Sequence, residues 1–123
     1  MKKVTVGDIL EAMEKNGYKV NRDGEFFNYS EDGSVAACAM GQAAINLGVD
    51  ADGLFSFFNR IKDENGAYIY INNSYPPGSW VADTNDNTKQ SPKTIAKKLR
   101  MFLGTESVLA QSEEIEEVIF KIS

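Results

Sequence analysis

The sequence contains no histidine. That removes the commonest general base, the commonest zinc and copper ligand, and the partner in Ser-His and Cys-His pairs. Catalysis by carboxylates, tyrosine or lysine stays open, yet the expectation moves from an enzyme towards a binding protein. Cysteine occurs once, at Cys38, so neither an internal disulfide nor a cysteine-based zinc site can be built. One thiol fits a reducing compartment. Long apolar runs are missing: none approaches the ~18 residues of a membrane span. The opening Met1-Lys2-Lys3-Val4-Thr5 leads into no apolar segment of the kind a secretion signal needs. The expectation is a cytoplasmic protein without cofactor, metal or membrane contact.

What is present suits one domain. The chain has 123 residues, 42% hydrophobic and 25% charged, enough to bury a core unaided. A net charge of −5 disfavours nonspecific attraction to nucleic acid or anionic lipid. The charge is uneven along the chain. Between Asp86 and Glu106 every ionic residue is basic, whereas Glu106, Glu113, Glu114, Glu116 and Glu117 stand against Lys121 alone. Such a split implies two solvated surfaces, complementary within the fold or across a dimer.

Helix signals are frequent. Thr5-Val6-Gly7-Asp8 resembles a capping box, and Ile9, Leu10 and Met13 follow at helical spacing up to a stop at Asn16-Gly17. Tyr18-Lys19-Val20 and Glu25 to Tyr29 read as short strands around the turn Asn21 to Gly24. Val35 to Leu47 is alanine-rich and apolar nearly all round, which predicts a buried helix ending at Gly48. Asp50 or Asp52 caps a third helix, carrying Leu54, Phe55, Phe57, Phe58 and Ile61 and ending near Asn65-Gly66. Ala67 to Ile71 alternates like a strand. The stretch from Asn72 to Gln90 reads as a long irregular loop with a strand at Trp80-Val81-Ala82. Ser91-Pro92 starts a helix whose buried stripe is Ile95, Leu99 and Phe102, with a stop at Gly104. The tail from Ser112 leans to helix through Ile115, Ile119 and Ile122, although Val118, Phe120 and Ile122 also alternate. The fold class expected is α+β: a single compact domain of about four to five helices with a small, mainly antiparallel sheet.

Several residues qualify as functional candidates. Cys38 near a helix start can be a thiol activated by aligned N–H groups, or a small core hydrophobe. Gln42 and Asn46 follow it at i+4 and i+8, a polar stripe that either bonds to nearby backbone or lines a pocket. Ala37, Gly41 and Ala44 allow another element to approach closely. Asp83, Asn85 and Asn87 occupy positions 1, 3 and 5 of a calcium loop, which then fails at Thr88 and Thr94. Tyr75-Pro76-Pro77-Gly78-Ser79-Trp80 is the most binding-like stretch, offering rigid aromatic contact at low entropic cost, or else a turn whose Trp80 completes the core. Lys89, Lys93, Lys97 and Arg100 can share one face of their helix, ready for phosphates, for an acidic protein or, more commonly, simply for solvent; with no aromatic residues interleaved, nucleic acid is a minor reading. The binding candidates are therefore Tyr75, Trp80, Asp83, Asn85, Asp86, Gln42 and Asn46, with Lys93, Lys97 and Arg100 as a charged face.

Tyr18 to Gly33, then Ala37-Cys38-Ala39-Met40-Gly41-Gln42-Ala43-Ala44, then Asn85-Asp86 before the Ser91 helix, resembles a family of small uncharacterised actinobacterial and phage proteins. These share a Cys-x-x-Gly helix and a later Trp-Asn-Asp step before a helix. Here Thr84 stands in place of the Trp, and Gln42 in place of an Ala. The resemblance runs from about Thr5 to Leu103, leaving residues 105–123 as an acidic addition. It implies an α+β fold, no catalytic residues, and a phage or mobile-element setting in which small acidic proteins block host defence proteins. The leading expectation is a protein-binding module of that inhibitor type. A small-molecule or nucleotide binder using the Gln42 stripe and Trp80 is the alternative, and a Cys38-dependent enzyme the third.

Overall fold

The computed structural model describes residues 1–122. Strand β1 (Lys2–Thr5) runs directly into α1 (Val6–Lys15). The capping box is formed in full: Asp8 N–H donates to Thr5 Oγ1 and Thr5 N–H to the Asp8 carboxylate, both at 3.0 Å. Two short strands follow, β2 (Lys19–Val20) and β3 (Phe27–Tyr29), then β4 (Val35–Ala37). β4 lies between them, parallel to β2 and antiparallel to β3. Helices α2 (Ala39–Leu47) and α3 (Ala51–Phe58) come next, with Cys38 and Asp50 at their N-caps. Then α4 (Pro77–Asn87), α5 (Pro92–Leu103), the single turn α6 (Glu106–Leu109) and β5 (Ser112–Ile115) complete the order. β5 pairs antiparallel with β1. The result is one compact α+β domain with six helices among the described residues.

Helices α1, α2 and α5 form the centre. Ile9, Leu10 and Met13 of α1 meet Met40, Ala43 and Ala44 of α2 and Ile95, Ala96, Leu99 and Leu103 of α5 in one continuous core. Leu54 and Phe58 of α3 and Trp80 and Val81 of α4 extend it. Burial of side chains this large supplies about 1.5–3 kcal/mol apiece.

Five expectations need correction. The alanine-rich segment does not begin as helix: Val35 to Ala37 are a strand, because pairing on both sides with β2 and β3 outweighs local helix propensity. The third helix stops at Phe58, where Asn59 turns the chain; Ile61 is buried outside it. Ala67 to Ile71 forms no strand, only isolated bridges from Tyr68 to Lys62 and from Ile71 to Tyr75. Its alternation is nevertheless expressed, with Ile71 buried and Tyr68 and Tyr70 exposed.

Trp80-Val81-Ala82 is helix, inside α4. Pro77 occupies a first-turn position, and Trp80, Val81, Thr84 and Asn85 fall on one buried helical face. Finally, the tail from Ser112 is strand and extended chain. Phe120 packs against Phe27 at 5.4 Å while Ile119 is 90% exposed, the alternation of an extended segment. Val118 N–H donates to Gly48 C=O, and Ile115 is buried, so the acidic tail is woven into the domain.

Candidate functional site

Two places gather the chemistry-bearing residues. The first is the junction between α2 and α4. A helix start leaves N–H groups without intrahelical partners, and here they are capped partly from elsewhere in the chain. The Cys38 sulfur accepts from Gly41 N–H at 3.4 Å, while the Asn85 side-chain oxygen accepts from Ala39 N–H at 3.0 Å. Asn85 also donates to Asn21 C=O at 2.8 Å and to the Asp86 carboxylate at 3.0 Å. Arg22 donates to the carbonyls of Asn85 and Thr88 at the negative end of α4. The start of α4 is treated alike, with Asn59 Oδ1 accepting from Ser79 N–H at 2.8 Å. A partly buried amide, Asn59, thus clasps α3 to α4, and a fully buried one, Asn85, clasps α4 to α2.

Burial pushes the Cys38 thiol up, and the nearby Asp86 charge adds to this; the helix N–H groups act the other way without prevailing. The thiol is therefore neutral at pH 7, the opposite of an activated nucleophile. The recess beside Cys38 and Asp86 holds about 30 Å³, room for roughly one water molecule.

The amide nitrogens of the polar stripe of α2 are spent on backbone, whereas Gln42 Oε1 is buried with no hydrogen-bond partner among the described residues. Gln42 donates to Tyr18 C=O and Ala37 C=O, and Asn46 to Ala12 C=O and Asn16 C=O. Asp83, Asn85 and Asn87 lie on a helix, where alternate residues diverge; Asp83 instead accepts from Asn87 at 2.8 Å. Among the described residues no group of three or more His, Cys, Asp or Glu is gathered as for a metal ion.

The second place is an exposed apolar face at the C-terminal end of α5. Sequence spacing put Phe102 in the buried stripe, but Leu103 takes that position and Phe102 stands 50% exposed. Leu103 lies four residues beyond Leu99 and eight beyond Ile95, a spacing that turns Phe102 to the edge. Met101 beside it is 82% exposed. Trp80, only 9% exposed, meets the Phe102 ring edge-on at 5.8 Å and 72°. The indole thus backs the face from within the core. Tyr75 lies half exposed just before α4.

Phe102 separates two hollows. One, about 520 Å³, is bordered by Asn72, Trp80, Lys98 and Met101; the other, about 300 Å³, by Asp63, Glu64, Ile69 and Val108 among others. The basic residues of α5 divide accordingly. Lys98 edges the apolar face. Lys93, Lys97 and Arg100 take the opposite flank, where Arg100 forms an ion pair with Glu14 of α1. The acidic tail finds a different cation, Glu113 pairing with Arg60 at 3.0 Å. Sequence reasoning placed the basic residues on a solvated surface, but it set Phe102 in the buried stripe, singled out neither Met101 nor Lys98 as a candidate, and offered as a contact residue Trp80, which is buried.

A third feature is a cleft of about 560 Å³ on the small sheet, lined by the cross-strand row Lys19, Ala36 and Asn28 together with Tyr18, Ser34 and Ile122. No helix among the described residues is long and apolar enough to cross a membrane. No protein-family model, curated protein or solved structure matches the chain. A functional reading rests on the geometry.

Proposed function

We propose that the chain is a non-enzymatic protein-interaction module that docks through the face around Phe102. The observation that carries this reading is the exposed Phe102–Met101 pair, backed by Trp80 and flanked by two hollows. Apolar patches with an aromatic centre and a charged rim are the usual make-up of docking surfaces. Aromatic anchors at the centre of such a patch carry most of the binding energy. The other candidate chemistry supports it by default: Cys38 is buried and neutral, and the side-chain amide nitrogens of Gln42 and Asn46 and both ends of the Asn85 amide are committed to backbone groups. A reducing, cytoplasmic setting goes with that buried free thiol.

The test uses the tagged chain as bait in extract from its own host, with Phe102→Asp and Met101→Asp as matched controls. Trp80→Ala is unsuitable, because Trp80 is core. A stoichiometric partner that is lost in both variants, while their circular dichroism stays native, supports the reading. A partner retained by both variants refutes it. Blockade of a host protein is the narrower form of the proposal, and it requires this face to seat on a foreign surface.

A further inference from the structure

Resting on that reading, we propose that the partner this face fits is a second copy of the same chain, joined by a two-fold contact centred on Phe102. The face is polarised about its aromatic centre. On one side of Phe102 lie Lys98 and Met101; on the other lie Asp63 and Glu64. A two-fold contact presents the same patch from each partner, so residue i meets j and j meets i. An axis beside Phe102 sets Lys98 of one copy against the acidic pole of the other, and does so twice.

The apolar parts match in the same sense. Phe102 is a half-exposed ring bordering two hollows that share no other lining residue, so each copy offers one ring and the depressions to receive it. The poles are available for pairing. Lys98 is exposed and takes part in neither of the two ion pairs of the described residues. The Glu64 carboxylate is exposed and accepts only a hydroxyl hydrogen bond from Ser107, at 3.2 Å. Asp63 uses one oxygen for the N–H groups of Asn65 and Ala67, which fixes its orientation at the rim. Lys62, next to Asp63 in the chain, lies over the Tyr68 ring, 5.2 Å from its centroid. A foreign partner would have to supply both poles in reverse order; a second copy already has them.

Sedimentation equilibrium from 10 µM to 1 mM tests this. The expected result is a reversible dimer at twice the 13.6 kDa chain mass. Lys98→Glu alone and Glu64→Lys alone each place like charges opposite one another at both symmetry-related contacts, and each weakens the dimer at least ~10-fold. The double variant Lys98→Glu/Glu64→Lys regains it, and a mixture of the two single variants gives a heterodimer. Phe102→Asp is monomeric throughout. All three positions are exposed, and native circular dichroism verifies folding. A monomer at 1 mM for the unmodified chain overturns the proposal, as does a dimer indifferent to Phe102→Asp or not regained by the double variant. If the chain is monomeric and yet loses a captured foreign protein on Phe102→Asp, the second copy is excluded and the docking face stands. If it is monomeric and captures nothing through Phe102, both fail.

Discussion

Asn85 is fully buried and holds three segments together, so its removal should be among the costliest polar substitutions in the chain. Asn85→Ala strips the partner from Ala39 N–H, the first amide of α2, and from Asn21 C=O in the connection after β2. A buried backbone group left unpaired costs about 1–3 kcal/mol, so two together cost on the order of 2–6 kcal/mol. That is a large share of the roughly 5–15 kcal/mol by which a domain is stable. At about 3 kcal/mol the melting temperature falls by roughly 10–15 °C for a chain of this size.

The assay is urea unfolding followed by tryptophan fluorescence, reading the midpoint at unchanged m-value. Asn85→Asp refines it. The carboxylate keeps the acceptor for Ala39 N–H, but its second oxygen faces the Asn21 carbonyl and the Asp86 carboxylate, where the amide had donated. It should be worse than alanine at pH 7 and relatively better at about pH 4, where protonation removes the repulsion. A loss below about 0.5 kcal/mol for Asn85→Ala would refute the clasp, since exposed polar substitutions show no more than that.

Three further outcomes are expected. Gly41→Ala places a Cβ 2.3 Å from Phe26 C=O, the carbonyl that accepts from Cys38 N–H; a loss of about 1–3 kcal/mol in thermal unfolding follows, and an unchanged melting temperature contradicts the packing. Cys38 should react with a thiol reagent at pH 8 many-fold more slowly in the native protein than in denaturant, because burial first, and Asp86 second, disfavour the thiolate; equal rates would show an accessible thiol. The Glu14 carboxyl is held below its usual range, chiefly by its hydrogen bond from Arg100. Its contribution is therefore present above the ordinary glutamate range and is lost as pH falls through the depressed value. With both partners more than a third exposed, Glu14→Gln should cost less than about 1 kcal/mol at pH 7, and a stability gap between the two proteins that widens on acidification would contradict the pairing.

Much of this fold was legible because local signals agreed with the tertiary outcome. Thr5 with Asp8, and Ser91 with Pro92, each announced a helix start that forms as read, and of the two caps open for the third helix Asp50 is the one used. The small face of α2 was legible too, since Gly41 is where Phe26 backbone approaches. Failures came where a local preference met a non-local partner. Val35 to Ala37 favour helix alone but are held by strands on both sides. Pro76-Pro77-Gly78 and the Asn- and Asp-rich run after it resembled loop. Their helix is sustained by the buried Trp80, Val81 and Thr84 and by caps borrowed from Asn59 and Arg22, which spacing along the chain cannot reveal. The site followed the same logic. Trp80 was recognisable as an aromatic anchor, but that it anchors from inside, with Phe102 as the exposed ring, depends on which side of α5 the core takes.

The most direct measurement is photo-crosslinking from a benzoyl-phenylalanine placed at position 102, with the same probe at Ile119, another exposed apolar position, as control. A discrete adduct from position 102 alone is the predicted result, its mass separating a second copy from a foreign protein. Reaction equal from both positions, or none from position 102, would contradict the docking face.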